Sequence, residues 1–378
     1  MSKLYELPDG WEWKKLSCIT KLQNGFAFKS KLFTDNGLPI IRIKNIKKEK
    51  VIIDDVVYFN PNDCSKSLEN YKIKRNDLLI AMSGATTGKI GRYDIDDEAY
   101  LNQRVGLFRI DDYDTRNYLF YFLSTQIEKN LAQSLGAAQP NLSSQQINDM
   151  KIPLPPLQEQ KRIVSKLDTL FEKIDKSIAL HQKNMDEADV FMESILNDVF
   201  GELEEQYEKQ VWNEVLKIKN GKHYKDVIDD DGQYPIYGSG GIMNYANDYL
   251  CNENTVIIGR KGTINNPLFV KEKFWNIDTA FGIEANKDVL LPMFLFYFSK
   301  HFNFLDLNKS TTLPSLAKTH LLQIMMVLPP LNIQQKTVAY LDKISQKIEK
   351  IKLVQKDKME SLVALKASIL DQAFRGEL

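Results

Sequence analysis

Leu154-Pro155-Pro156-Leu157 returns later in the chain as Leu328-Pro329-Pro330-Leu331, an offset of 174 (328 minus 154). The same offset carries Gln160 onto Gln334, Val164 onto Val338, Leu167-Asp168 onto Leu341-Asp342 and Lys173-Ile174 onto Lys347-Ile348. Upstream, Pro140-Asn141-Leu142 falls on Pro314-Ser315-Leu316, and downstream Ser194-Ile195-Leu196 falls on Ser368-Ile369-Leu370. Phe200-Gly201-Glu202-Leu203 then matches Phe374-Arg375-Gly376-Glu377-Leu378 with one inserted residue. A period this long exceeds any solenoid repeat and means two copies of a domain-plus-helix unit.

Two prolines prevent a helix from running through them but suit its start. After the first pair, apolar side chains run Val164, Leu167, Phe171, Ile174, Ile178, then His181, then Met185, Ala188, Met192, Ile195, Val199. The steps alternate 3 and 4 throughout, which predicts a coiled-coil helix over about residues 158–199, roughly 60 Å long. The second copy runs Val338, Leu341, Ile344, Ile348, Ile351, Gln355, Met359, Leu362, Leu365, Ile369 in looser phase. Each stripe needs a partner, and the other helix is the simplest one. His181 and Gln355 are polar seam residues of the kind that set register.

Before each proline block the copies diverge. Trp13-Lys14-Lys15-Leu16 through Asn24-Gly25 resembles Trp212-Asn213-Glu214-Val215 through Asn220-Gly221, and Leu119-Phe120-Tyr121-Phe122 resembles Leu295-Phe296-Tyr297-Phe298. A shared frame with a variable interior is expected of one scaffold that reads two targets. The fold class expected is α/β (α+β): two similar domains, each followed by a long helix, the helices pairing antiparallel with pseudo-twofold symmetry. The expected segments are 1–153, 154–203, 204–327 and 328–378.

The 378 residues suffice for two or three domains, and 43% hydrophobic with 26% charged residues allows large cores. A net charge of +0 excludes a uniformly basic coat but permits a local basic face. Cys18, Cys64 and Cys251 have neither CxxC spacing nor clustered histidines, so no metal site or disulfide framework is expected. MSKLYELPDG has no apolar signal core and no run reaches a membrane span, so a cytoplasmic location away from membranes is expected.

Three catalytic readings fail on spacing. Gly84-x-x-x-Gly88-Lys89 is one residue short of a nucleotide-binding loop, and Ile90 stands where magnesium needs Ser or Thr. Asp9, Glu12 and Lys14 crowd the seven residues from Pro8 to Lys14, whereas a metal-dependent nuclease draws such groups from separate strands. Asn60-Pro61-Asn62 and Asn266-Pro267-Leu268 do not fit the Asn-Pro-Pro-Tyr-like segment of an amino-methyltransferase. No catalytic residue is expected.

The chain resembles the specificity subunit of type I restriction-modification systems. Leu7-Pro8-Asp9-Gly10-Trp11, the proline blocks continuing to Gln160 and Gln334, the helices after them and the ends at Phe200 and Phe374 carry the resemblance. The second half departs from it, with Gln210-Val211-Trp212 in place of the Leu-Pro-Asp-Gly-Trp opening. The resemblance implies two target-recognition domains, each reading half of a bipartite double-stranded DNA site, with helices that hold the gap and dock two modification (methyltransferase) subunits. Restriction subunits would join, and S-adenosylmethionine, ATP and Mg2+ would sit on those partners, none on this chain. The whole complex would methylate adenine N6 and cut DNA with ATP. A heptad of helix, ~10 Å, would span about 3 base pairs of gap. A methylation-only or phase-variable system, or an assembly protein that does not bind DNA, are the alternatives.

Base edges are read by Arg, Lys, Asn and Gln; phosphates are held by these and by Ser, Thr and backbone amides. Strand-like runs at 38–43, 77–82 and 105–110 leave loops between them. In the first half the candidates are Arg42, Lys44 and Asn45, with Arg42 and Lys44 expected on one strand face. Ser83, Thr86, Thr87 and Lys89 follow in a small-residue loop, then Asn102, Gln103 and Arg104, and Gln139 and Asn141. In the second half they are Lys219, Asn220, Lys222, His223, Tyr237, Ser239, Arg260, Lys261, Thr263, Thr312 and Ser315. The Gly259-Arg260-Lys261-Gly262-Thr263 loop is expected to be the counterpart of the loop at 83–89.

Overall fold

A computed structural model of the chain describes residues 5–47, 49–64, 67–127, 141–308 and 314–378. It divides into two compact units, Met1–Ala179 with Met359–Leu378, and Leu180–Lys358. This division differs from the four consecutive segments expected: each unit holds a mixed α/β domain, the start of the helix that follows it, and the end of the other long helix.

The strands of the first unit are β1 (Glu12–Lys15), β2 (Lys21–Asn24), β3 (Leu38–Ile41), β4 (Glu49–Lys50), β5 (Val57–Phe59), β6 (Lys72–Ile73), β7 (Leu78–Ala81), β8 (Ile90–Arg92), β9 (Ala99–Leu101), β10 (Val105–Arg109) and β11 (Lys151–Leu154). Helices α1 (Tyr113–Thr125) and α2 (Ser144–Asn148) precede the long α3 (Leu157–Gln206). Two sheets, ordered β2-β10-β7-β8-β4 and β5-β3-β9-β6, form the body, and β1-β11 forms a separate ribbon. All four residues of β7 are buried, as a central strand covered on both faces requires.

The second unit contains β12 (Lys209–Val211), α4 (Trp212–Val215), β13 (Leu216–Asn220), β14 (Tyr234–Gly238), β15 (Gly241–Ala246), β16 (Thr255–Gly259), β17 (Leu268–Val270), β18 (Trp275–Asn276) and β19 (Ala280–Ala285). After them come α5 (Pro292–His301), α6 (Lys318–Leu321), β20 (Met325–Val327) and α7 (Leu331–Arg375). Its sheets, β13-β19-β16-β17 and β15-β14-β18, repeat the first unit's plan with fewer strands, and β12-β20 repeats its ribbon.

Both proline blocks launch a helix the same way. Pro156 O accepts from Glu159 and Gln160 amides at 2.9 and 3.0 Å, and Pro330 O accepts from Ile333 and Gln334 amides at the same distances. The buried Gln160 and Gln334 turn back on this start and donate Nε2 to the Pro155 and Pro329 carbonyls, each at 2.8 Å. These backbone acceptors lie where water is excluded, so they need such partners.

Within each unit the long helices pack antiparallel. In the first, Arg162 donates to the Leu378 carbonyl at 2.7 Å and Lys366 pairs with Asp175 at 2.9 Å. In the second, His181 meets Gln355 and Lys352 pairs with Asp189 at 2.8 Å. Partner numbers fall as α3 numbers rise, which is the antiparallel signature. His181 and Gln355 are themselves related by the 174 offset, so at this point a residue faces its own repeat mate.

Every α3 seam residue read from the heptads is buried or half-buried. The α7 seam needs correcting at two places. Ile351 and Leu365 are 48% and 47% exposed, and Lys352 and Lys366 take the inward positions. Each lysine lays its aliphatic stem in the seam and carries its ammonium to an α3 aspartate, and Lys366 also lies 4.7 Å over the Phe171 ring.

The helix ends complete the domain cores. Phe374 packs edge-on to Tyr118 and Phe122, each 5.3 Å away, while Phe200 meets Phe294 at 5.4 Å and Phe298 at 5.6 Å. Tyr121 donates to Asp168 in the first unit, and Tyr297 donates to Asp342 at 2.7 Å in the second. Among the described residues no helix is long and apolar enough to cross a membrane.

Candidate nucleic-acid interface

At one end of each domain the candidate loops converge on a common set of backbone hydrogen bonds. In the first domain the Gly25 amide donates to Val105 O at 3.1 Å, and Phe26 to Leu101 O at 2.8 Å. The β9–β10 turn is tied by Asn102 N to Ile41 O at 3.1 Å and Val105 N to Asn102 O at 2.9 Å. Met82 N donates to Arg104 O at 3.0 Å, Leu142 N to Met82 O at 2.8 Å, and Ser83 bridges Asn141.

The second domain repeats this network. Gly221 N donates to Ala280 O at 3.1 Å and Lys222 N to Asn276 O at 3.0 Å. The β18–β19 turn is tied by Ile277 N to Tyr237 O and Ala280 N to Ile277 O, both 3.0 Å. Arg260 N donates to Thr279 O at 2.8 Å, Leu316 N to Arg260 O at 2.9 Å, and Lys261 bridges Ser315.

Two glycine pairs show why the frame is shared. A Cβ on Gly25 would strike the Asn102 carbonyl, and one on Gly221 the Ile277 carbonyl, so only glycine permits this approach. Gly84 and Gly262 both have left-handed φ, +78° and +75°, at the same place in the loop. The loops at 83–89 and 259–263 are therefore counterparts, with Ser83 matching Lys261 and Gly84 matching Gly262.

By the same correspondence Asn102-Gln103-Arg104 matches Ile277-Asp278-Thr279, Met82 matches Arg260, Phe26 matches Lys222, and Asn141 matches Ser315. In the first domain the exposed polar groups are Gln103 and Arg104 on the turn, with Asn102 half-buried beside them. In the second the cations move to Lys222, Arg260 and Lys261, all exposed, and His223 stacks on Tyr224 at 5.9 Å. One backbone scaffold thus displays different hydrogen-bonding groups in each domain. Ser239 also reaches this end, its Cβ 3.0 Å from where a Cβ on Gly259 would stand, and Thr263 is exposed at the loop tip.

Several sequence candidates instead support the frame. β3 ends at Ile41, so Arg42 and Lys44 do not share a strand face. A helical turn at Ile43–Asn45 follows, because Asn45 Oδ1 accepts the Arg42 amide at 3.0 Å and its Nδ2 donates to Asp55 O at 3.2 Å. Asn45 is 2% exposed. Lys44 is bound to Asp55 and holds that carboxyl below its ordinary range. Ser83 and Thr87 are buried, and Thr87 donates to Gly84 O at 2.7 Å. Thr86 donates to Ile43 O at 3.2 Å, joining the two loops. Lys89 is half-buried.

In the second domain Lys219 pairs with Glu284 at 2.8 Å and donates to Leu250 O, which directs it into the sheet. Asn220 is exposed beside Lys222, and Tyr237 is half-buried against Phe274 with its phenol pushed up by burial. Gln139 and Thr312 lie outside the described residues. Sequence reading missed Asn24, which is exposed and accepts from Ser144 at 2.9 Å, and the exposed Asp278. A search for cations and amides passes over a carboxylate.

The fold is thus a duplicated α/β domain, each copy followed by a long helix and presenting different exposed polar groups on one backbone frame, without a metal-ligand cluster among the described residues. The family model for the type I restriction modification DNA specificity domain matches residues 8–184 and 204–358, and the chain belongs to that family. The chain is 34% identical over 186 residues to the type I restriction enzyme EcoAI specificity subunit of Escherichia coli, covering 46% of this chain and 30% of that one. It is 32% identical over 204 residues to the MjaVIII specificity subunit of Methanocaldococcus jannaschii, covering 52% and 47%. Those matches span less than half of each relative's length. A solved chain, reported under the structural basis of complex assembly and conformational transition of the type I R-M system, superposes with a TM-score of 0.75 over 99% of this chain and all of the other. At 21% identity that likeness shows the fold.

Proposed function

We propose that the chain is the DNA-reading subunit of a type I restriction-modification complex and performs no chemistry itself. Each domain reads one half of a bipartite duplex site through its loop end, and the paired helices set the gap. The observation that carries this reading is the repeated hydrogen-bond frame bearing different exposed polar groups, Gln103 and Arg104 in one domain and Lys222, Arg260 and Lys261 in the other.

Two modification subunits dock on the long helices, where Val190, Phe191, Leu353, Val354, Val363 and Leu365 leave apolar surface exposed. S-adenosylmethionine belongs to those subunits, and ATP and Mg2+ to the restriction subunits that join them. The complex then methylates adenine N6 and cleaves DNA, and it works in the cytoplasm.

Selection from a random duplex library by the full chain assembled with modification subunits tests this. The wild type should enrich a bipartite motif. Arg104→Ala should relax one half and Lys261→Ala the other, each by roughly fivefold or more. Affinity should fall steeply as salt rises, in proportion to the phosphates neutralised. Enrichment of no sequence would instead mark the chain as an assembly protein.

A further inference from the structure

Asp278 is a carboxylate on the loop end of the second domain, among the cations that would attract DNA. The Arg260 guanidinium lies 3.5 Å from its carbonyl oxygen and the Arg260 amide binds the next carbonyl at 2.8 Å. Lys261 follows directly. Yet among the described residues no ion pair or side-chain hydrogen bond engages the Asp278 carboxylate, and the side chain is exposed. A structural role in the turn is filled by the backbone bonds of Ile277, Thr279 and Ala280. An exposed acid here weakens attraction to phosphates, so its presence needs another source.

The matched frame supplies one. Asp278 occupies the position of Gln103, since the turns carrying both are tied by equivalent bonds, Asn102 N to Ile41 O and Ile277 N to Tyr237 O. Gln offers a donor and an acceptor, the complement of adenine in the major groove. Aspartate is acceptor-only. It complements the amino group of cytosine N4 and opposes the acceptor edges of guanine and the thymine O4.

We infer that position 103/278 is a specificity-determining position shared by the two domains, and that Asp278 selects cytosine at one place in the second half-site. This rests on the reading that each domain binds duplex DNA. The loop changes its base by exchanging one side chain on an unchanged turn.

Random-duplex selection by the assembled full-length chain tests it with Asp278→Asn and Asp278→Ala beside the wild type. Asp278→Ala should lose the cytosine preference at a single base position by roughly fivefold or more, and Asp278→Asn, which keeps one acceptor oxygen and adds a donor, should shift that position towards adenine. The first half-site should be unchanged, and affinity for unselected duplex should be equal or higher. An unchanged motif, or a change in both halves, overturns this inference while leaving the DNA-reading role intact. A wild-type chain that enriches nothing overturns both. Asp278→Ala removes the acceptor without offering an amide, so loss with alanine and a new preference with asparagine separates readout from charge alone.

Discussion

Gly221 and Gly262 show how single residues hold the frame by lacking a side chain. At Gly221 a Cβ would strike the Ile277 carbonyl, and backbone cannot yield as a flexible side chain would. Gly221→Ala should lower stability by about 1–3 kcal/mol through overpacking. Gly262 is different: nothing lies within 4 Å of its added Cβ, so Gly262→Ala meets only the left-handed φ and should cost about 1–2 kcal/mol. Denaturant midpoints of the two variants check both, and a Gly262→Ala loss larger than that of Gly221→Ala would reverse the ranking. Asn45 illustrates the opposite logic. Its amide resembles a base-reading group in sequence, but only the fold shows it turned inward on Arg42 N and Asp55 O.

The long helices were the most legible elements because their signals are local. Proline pairs mark their starts, and α3 keeps alternating steps of 3 and 4 through Val199. Hydrophobicity misled only where packing preferred a lysine stem. Ile351 and Leu365 are the more apolar neighbours, but Lys352 and Lys366 face the aspartates. Asp175 is 59% exposed, so its bond to Lys366 contributes little, about 0–1 kcal/mol. Lys366→Met, which copies Met192 at the matching place in the first repeat, should leave the thermal midpoint unchanged or higher. A loss beyond about 1 kcal/mol would show that the ion pair outweighs packing. The helix ends matter more. Phe200 and Phe374 are 0% and 4% exposed, and truncating either to alanine should cost about 3–5 kcal/mol in chemical unfolding.

At the scale of the molecule, duplication was plain from the proline blocks, but the correspondence of loops was not. Insertions shift the offset from 174 at the helices to 196 between Gly25 and Gly221, and to 178 between Met82 and Arg260. At the helices' offset of 174 Gln103 falls on Ile277, one place short of Asp278. Backbone bonds bring the two into register, because they depend on where the chain returns and not on how many residues it used. The aromatic contacts of Phe200 and Phe374 were likewise visible only as matching residues near the ends of the two long helices.

The repeated frame also separates the fate of the fold from that of the message it displays. Gln103, Arg104, Lys222, Arg260, Lys261 and Asp278 are exposed, and surface substitutions away from special contacts commonly change stability by only about 0.5 kcal/mol. Mutation can wander across these six places while the glycines, the turn amides and the proline-started helices remain under selection for folding. If each domain reads half of a target as proposed, a lineage carrying this scaffold can explore new targets one half at a time, with the untouched half preserving a working partner for each trial.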